Sequence, residues 1–404
     1  MLKRPNPRIC SLCKGSRRLC GLPRCPILTR VEEQLNISPR LSSAISSPTP
    51  PSILVGEHGY PSVRVGVNLP VGEGEPHLFE NPVEWWGRLD LWDILKLRAR
   101  LVYSYTRINV KSSSERVVEA IREAAISSKP VESEAVFKRP PVFTLRFDPL
   151  LKPMGFAGEA SSINVVGNPH VPRRVDNLVE DRVKAGRALV ELYKAGYDVY
   201  YLQRLLTSGA LGVEKRFVPS RWAITAVDKR IGDFLLQRVR DNPEITNHEV
   251  YHARYIGNNY TIILIPGAWR MEMIEAWLSG SVWVPTGESQ IYSIHEYSDG
   301  KASQEDGGYY AIRVALLEHL YQRGRQAQAL VVREVTPEYF APVGNWQIRE
   351  SVRNALKDRA EEASSLEEAL ELASRHMILP LEVIYRKSRL LKFLQSQVTL
   401  VDFL

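Results

Sequence analysis

Apolar positions recur along this chain with two periods. Pro61-Ser-Val-Arg-Val-Gly-Val alternates apolar and polar residues and predicts a strand. Val142–Phe147, Trp222–Val227 and Ala327–Val332 are short apolar runs of strand type. Val250–Ile256 and Tyr260–Ile265 flank Gly257-Asn258-Asn259, the punctuation of a β-hairpin. Helical spacing covers Trp85–Leu101, Asp181–Leu206 with a break near Gly196, Lys229–Val239 and Met271–Leu278. It returns over Tyr309–Gln322, where Ile312, Ala315, Leu316 and Leu320 form one stripe. Ile348–Met377 reads as helical, restarted by a capping box at Ser365-Leu-Glu-Glu368, and Leu381–Leu394 as a basic amphipathic helix. Strands and helices do not alternate regularly, which argues against a Rossmann fold or TIM barrel. The expectation is a mixed α/β (α+β) body of irregular strand/helix order with a helical C-terminal region.

Composition narrows the class. The chain has 404 residues, 44% hydrophobic and 25% charged, which excludes collagen-like, mucin-like and wholly disordered readings. No apolar run approaches the roughly 18 residues of a membrane span. The basic N-terminus lacks the apolar core of a signal peptide. The expectation is an intracellular, cytoplasmic chain with no membrane partner. Between Asn36 and Ser52, ten of seventeen residues are Ser or Pro, which reads as an extended linker or surface loop. The expected organisation is a basic four-cysteine module over 1–30, a linker over 31–52, a body over 53–380, a basic helix over 381–396 and a tail over 397–404.

Charge concentrates at the N-terminus. Residues 1–30 hold eight basic side chains (Lys3, Arg4, Arg8, Lys14, Arg17, Arg18, Arg24 and Arg30) and no Asp or Glu. The whole chain is formally +7, so +7 minus +8 leaves about −1 for the rest. A focal basic arm points to an anionic partner, nucleic acid first. All four cysteines, Cys10, Cys13, Cys20 and Cys25, lie in the same arm with the spacing C-x2-C-x6-C-x4-C. Four thiolates brought together by turns at Gly15, Gly21 and Pro23 suit one structural Zn2+, whose binding would fold a segment too short to bury a core. Two disulfides are the alternative, disfavoured inside a cell. The arm has no aromatic residue, so Lys3, Arg4, Arg8, Lys14, Arg17, Arg18 and Arg24 would contact DNA backbone rather than stack on bases. A solvated face, or docking on the protein's own body, is the plain alternative.

The chain ends Gln397-Val-Thr-Leu-Val-Asp-Phe-Leu404. One 3₁₀ turn would place Leu400, Phe403 and Leu404 on one side as an apolar plug, with Gln397 reaching a polar pocket. This resembles the motif by which replication and repair proteins bind the PCNA sliding clamp. Leu404 departs from the usual aromatic. A terminal apolar turn packed on the body is the alternative.

Between arm and tail lie Gly56-Glu-His-Gly-Tyr-Pro-Ser-Val-Arg-Val-Gly66, Lys152-Pro-Met-Gly155 and Pro219-Ser-Arg-Trp-Ala-Ile-Thr-Ala-Val-Asp228. Further on come His252-Ala-Arg-Tyr-Ile-Gly-Asn-Asn-Tyr-Thr-Ile-Ile-Leu-Ile-Pro-Gly267, Gly307-Gly-Tyr-Tyr-Ala-Ile-Arg313 and Pro380-Leu-Glu-Val-Ile-Tyr-Arg-Lys-Ser-Arg389. In this order they resemble the archaeal Nre family of DNA repair proteins, of the NreA type, over nearly the whole chain. The resemblance implies an archaeal, nucleoid-associated cytoplasmic protein, a role in DNA damage repair, association with PCNA, and an adenine nucleotide as a candidate ligand of the body. It transfers no catalytic residue.

Within the body, His248-Glu-Val-Tyr-His252 matches a zincin pattern but falls on a predicted strand. Residues four apart there are about 13 Å distant, too far to share one zinc. Gly307, Gly308 and Tyr309 open a predicted helix, where backbone N–H groups can hold phosphate; an ordinary helix cap is the alternative. Trp222, Asp228, Arg270 and Glu272, with Arg64 and Arg349 beside them as weaker members, would suit a nucleotide through stacking, charge and a carboxylate. Structural ion pairs beside core tryptophans are the alternative. No Walker A, G-x-G-x-x-G or G-x-S-x-G pattern occurs. Three readings stay open: a clamp-tethered DNA repair factor, an enzyme acting on an adenine nucleotide or NAD-like substrate, and a non-enzymatic adaptor that recruits repair nucleases.

Overall fold

The computed structural model of the chain describes residues 13, 17–50, 52–112, 115–141, 155–181, 183–281, 283–284 and 287–396. It divides into two compact units, one built on Pro23–Ile231 and the other on the residues from Gly232 onward.

The N-terminal unit runs α1 (Pro26–Ile37), β1 (Ala44–Thr49), β2 (Ile53–Val55), β3 (Ser62–Pro70), α2 (Pro82–Trp85), α3 (Leu91–Ala99), β4 (Leu101–Asn109) and α4 (Arg116–Ile126). It continues with β5 (Val131–Phe137), β6 (Phe156–Val165), α5 (Arg173–Glu180), α6 (Ala185–Lys194) and α7 (Val199–Thr207), and α8 (Ser220–Val239) crosses the division. The strands form one mixed sheet in the order β1-β5-β6-β4-β3-β2, antiparallel except for β4 with β6. Val63, Val65, Val67 and Leu69 alternate along β3 and are fully buried against Val118, Ile121 and Ala125 of α4. Each such side chain contributes about 1.5–3 kcal/mol.

The C-terminal unit runs β7 (His248–Tyr255), β8 (Asn258–Ile265), β9 (Arg270–Trp277), β10 (Gln290–Glu296), α9 (Gly307–Arg323), β11 (Gln328–Val335), α10 (Trp346–Ala355), β12 (Glu361–Ala363), α11 (Leu366–Ser374), α12 (Leu381–Lys387) and α13 (Arg389–Ser396). Its sheet order is β10-β9-β11-β8-β7-β12, with β9 and β11 the parallel pair. Every residue of β8 and β11 is buried, as expected for strands covered on both faces. Ile263, Ile265, Ile274 and Val332 pack against α11–α13, while Tyr260, on the opposite face, donates to Gln347 of α10 at 2.9 Å.

The mixed α/β expectation holds, and several elements correct its details. Within the stretch read as a linker, Ala44–Thr49 is an edge strand in register with β5, where Pro48 leaves no inner ladder unsatisfied. Trp222–Val227 is helix, not strand: Ala223, Val227, Ile231 and Leu235 are fully buried at helical spacing, and that stripe outweighs the short apolar run. Met271–Leu278 is strand β9 rather than a helix, because burial on both faces erases the alternation that marks a half-exposed strand. Trp85–Leu101 divides into α2 and α3 around Gly87, at φ +74°, with a capping box at Asp90 and Asp93. Leu381–Leu394 divides at Ser388 into α12 and α13, and Ile348–Met377 contains α10, β12 and α11. The hairpin turn is Ile256-Gly257, both left-handed, one position before the expected glycine-asparagine triplet. Ser365 caps α11 as the capping box predicts, and Val142–Phe147 lies outside the described residues.

Candidate nucleic-acid interface

The outer face of the N-terminal sheet carries cations and rings where the inner face carries valines. Arg64 on β3 is directly opposite Arg107 on β4, and Gly66 is opposite Tyr105. The strands close so tightly that a Cβ on Gly66 would lie 1.8 Å from the Ser104 carbonyl oxygen. The Arg64 guanidinium lies 4.5 Å over the Tyr105 ring, and Tyr105 stacks on Tyr103 at 5.5 Å. Glu159, opposite Tyr105 on β6, bonds Lys138 at 2.5 Å. That bond, followed by the charges of Arg107 and Arg64, holds the Glu159 carboxyl below its ordinary range. Arg64, Arg107 and Lys138 thus gather about Glu159, while Glu132 and Glu134 of β5 lie further along the same outer face.

The loop after β2 extends the surface. Gly56 N–H donates to the Arg64 carbonyl at 2.8 Å, and Val55 N–H donates to the Ser220 hydroxyl at 2.9 Å, which brings the start of α8 to this edge. Glu57 accepts from Trp222 Nε1 at 3.1 Å and from Arg221 at 3.2 Å. Tyr60 lies 5.2 Å from Trp222 between ring centroids. Tyr60 is 48% exposed and Trp222 47%, so two large rings stand half in water, with the Trp222 indole held by the Glu57 carboxylate. Exposed, oriented rings beside unpaired positive charge are what base stacking and phosphate contact require.

Of the nine residues expected around a nucleotide, Arg64 and Trp222 fall in this region, linked through Gly56 and Glu57. The others are placed elsewhere. Asp228 is buried and accepts from Gln203 at 3.3 Å. Glu272 is fully buried and accepts from Ser293, Ser388 and the N–H groups of Arg389 and Leu390. Arg270 lies 4.1 Å over Phe393 of α13. The Gly308 and Tyr309 N–H groups are engaged by Asp306, the N-cap of α9 that begins at Gly307, and the Tyr309 hydroxyl donates to Glu296. Arg349 is buried in α10. The His248-Glu-Val-Tyr-His252 segment is strand β7, and Glu249 pairs with Arg323 at 2.6 Å. Tyr60, Tyr105 and Arg107 were not expected. The signal for Tyr105 and Arg107 is the β3–β4 register and that for Tyr60 its contact with Trp222, neither of which a single sequence displays.

In the arm, Arg17, Arg18 and Arg24 are exposed; Lys3, Arg4, Arg8, Lys14 and Cys10 lie outside the described residues. Cys13 is buried, while Cys20 and Cys25 carry free, partly buried thiols. Among the described residues no group of three or more metal-ligating side chains comes together. Gln397, Leu400, Phe403 and Leu404 also lie outside them. No helix among the described residues is long and apolar enough to cross a membrane.

The chain matches the family "Archaeal Nre, N-terminal" over residues 19–284 and "Archaeal Nre, C-terminal" over residues 296–403. It is 36% identical to DNA repair protein NreA of Haloferax volcanii over 363 residues, 86% of each chain. It is 33% identical to DNA repair protein NreA of Archaeoglobus fulgidus, covering 91% of this chain and 93% of the relative. It is 31% identical to DNA repair protein NreB of the same organism, covering 95% and 97%. No solved structure matches it. Two family matches that together span nearly the whole chain, and three relatives matched over most of their length, place this chain in the archaeal Nre family of DNA repair proteins.

Proposed function

We propose that this chain is a DNA repair factor that is tethered to the PCNA sliding clamp and holds single-stranded DNA on the Tyr60–Trp222 surface. The observation that carries the reading is the exposed Tyr60–Trp222 pair on the loop whose Gly56 bonds Arg64, itself opposite Arg107. Bases stack on the rings and the arginines meet phosphate; an adenine base with its phosphate is the minimal ligand of the same surface. The relatives' names supply the repair context. In this reading Cys10, Cys13, Cys20 and Cys25 hold one zinc that folds the arm, and Lys3, Arg4, Arg8, Lys14, Arg17, Arg18 and Arg24 add backbone contacts. Gln397, Leu400, Phe403 and Leu404 bind the clamp. Tethering raises the local concentration of DNA surface and clamp, so neither contact has to be tight alone.

Burial favours an adaptor that recruits repair nucleases over an enzyme working through the Asp228, Arg270 and Glu272 set, because Asp228 and Glu272 are enclosed and engaged by the chain's own donors. The test is fluorescence anisotropy of full-length protein with short single-stranded DNA over a salt series. Trp222→Ala should lose about 1–3 kcal/mol of binding. Arg64→Ala and Arg107→Ala should each flatten the salt slope by about 0.7. Unchanged affinity and slope in all three variants would remove DNA from this face.

A further inference from the structure

A second feature of the N-terminal unit lies apart from the residues of that surface. Around the start of α7 is a cleft of about 270 Å³. Tyr197, Tyr200, Tyr201 and Arg204 line it, with Glu80 and Asp198. The two carboxylates are already engaged. Glu80 pairs with Arg98 at 2.5 Å and accepts from Asn68, while Asp198 caps α7 by accepting from the Tyr201 N–H at 2.8 Å. His77, also in the lining, faces Glu75 and Glu84 at 3.4 and 3.3 Å.

Arg204 is different. Its guanidinium donates to the Ser127 carbonyl at 3.3 Å and lies 4.8 Å over the Tyr201 ring. Its Nε is buried with no hydrogen-bond partner, and no carboxylate among the described residues comes within 4.0 Å of it. Burial pulls the side chain's pKa down, offset in part by the more distant Asp198 and Glu80. A desolvated cation without an anion is costly, and a guanidinium fork is shaped for an oxyanion. The volume is just below the roughly 300–1,000 Å³ of small-molecule sites, enough for one ring with one anionic group. The walls are tyrosines, which favour a flat ring.

We propose that this cleft binds a 5′-phosphorylated nucleotide unit, with Arg204 on the phosphate and the base against Tyr197 and Tyr200. The unit comes either free, as a mononucleotide, or as the 5′-terminal nucleotide of a strand. The site uses no residue of the Tyr60–Trp222 surface and stands whether or not that surface binds DNA.

The experiment is calorimetry and thermal shift on the full chain with AMP, TMP, adenosine and inorganic phosphate, and with a trinucleotide carrying or lacking a 5′-phosphate. Saturable binding by a phosphorylated nucleotide, weaker with adenosine or phosphate alone, is expected. Preference for AMP and TMP identifies the free source, and preference for the 5′-phosphorylated trinucleotide the strand end. Arg204→Met should weaken binding by about tenfold or more, and Arg204→Lys should restore part of it. Tyr197→Ala should weaken it several-fold with the melting temperature unchanged, and decides the matter if Arg204→Met does not fold. No saturable binding at millimolar concentration, or binding untouched by both cleft variants, would overturn the proposal.

Discussion

In the C-terminal unit, Glu249, Glu272, Glu296 and Glu334 are all buried, and each is engaged by the chain itself. Glu334 accepts from Asn259 and from the N–H groups of Ile378 and Leu379; Glu296 accepts from Trp269, Tyr309 and Arg313. In the N-terminal unit, Arg64 and Arg107 are exposed, Trp222 stands half in water, and Arg204 lines a cleft with a carbonyl as its hydrogen-bonding partner. A carboxylate that accepts three or four donors has no capacity left for a ligand. A cation with unused donors, or a ring with an exposed face, does. Burial of charge therefore marks structure in one unit, and under-satisfied charge is what the proposed binding in the other rests on.

The sharpest way to break this contrast is Glu272→Ala. It leaves two hydroxyls and the Arg389 and Leu390 N–H groups without their acceptor, beneath the start of α13. With about 1–3 kcal/mol for each buried group left unmade, a loss of about 3–5 kcal/mol is expected. Chemical denaturation should show it, and hydrogen exchange should show α13 losing protection. Glu272→Gln should lose less. A wild-type denaturation curve for Glu272→Ala would mean the carboxylate is not structural and would return it to the list of ligand residues.

Next in size is a pH effect confined to the C-terminal unit. His319 lies edge-on to Tyr251, 5.7 Å between centroids, beside Arg323 and Glu249. Burial, then the Arg323 charge, lowers its pKa to about 4, against the opposing pull of Glu249. The unfolded chain, with the ordinary histidine value near 6.5, binds this proton first. Stability contributed by the neutral ring is thus complete above about pH 6.5 and is lost as pH falls toward 4. The loss amounts to at most roughly 3 kcal/mol at the acid end. Denaturation of His319→Phe across this window should show a shallower pH slope than wild type. An equal slope would assign the acid loss to other groups.

Smaller still, in stability, is the effect of opening the proposed binding face. Trp222→Ala removes a ring that is already half exposed, so its melting temperature should move by no more than a few degrees while single-stranded DNA affinity falls about tenfold. Arg64→Ala should behave likewise. If either variant loses stability on the scale of Glu272→Ala, the face is structural and the two units are not different in kind.

Much of the fold is legible in the sequence where a period meets one wet face and one dry face. β3 is an example, with Val63, Val65, Val67 and Leu69 inward and Arg64 outward. So is α9, whose end caps are written as Asp306 and Gly324. The reading fails where both faces are dry. β9 has no alternation left to read, because Glu272 on it is buried as deeply as Met271 and Met273. It fails again where a short window hides a long one, since Trp222–Val227 is a piece of a twenty-residue helix. For the site, Arg64 and Trp222 could be named from their local setting. Their neighbours Tyr60, Tyr105 and Arg107 are set by strand register and by the bond between Val55 and Ser220, which join positions 165 residues apart. Arg204 was equally out of reach, because its distinction is that no carboxylate among the described residues comes within 4.0 Å of it.

The smallest change to the fold, and a complete change to partnership, is expected from the tail. Residues 397–404 follow α13, whose packing already rests on Leu390 and Leu391 in the core and on Phe393 beneath Arg270. Those contacts end before Gln397. Deleting 397–404, or Phe403→Ala alone, should therefore shift stability by no more than about 0.5 kcal/mol. Under the proposed clamp contact, pull-down with purified PCNA should fall to background for both. Clamp binding that survives both changes would place the contact on a folded surface of one of the units. A large loss of stability on deletion would mean that the tail belongs to the C-terminal core. In either case the division between a unit that encloses its charges and a chain end proposed to recruit the clamp would have to be redrawn.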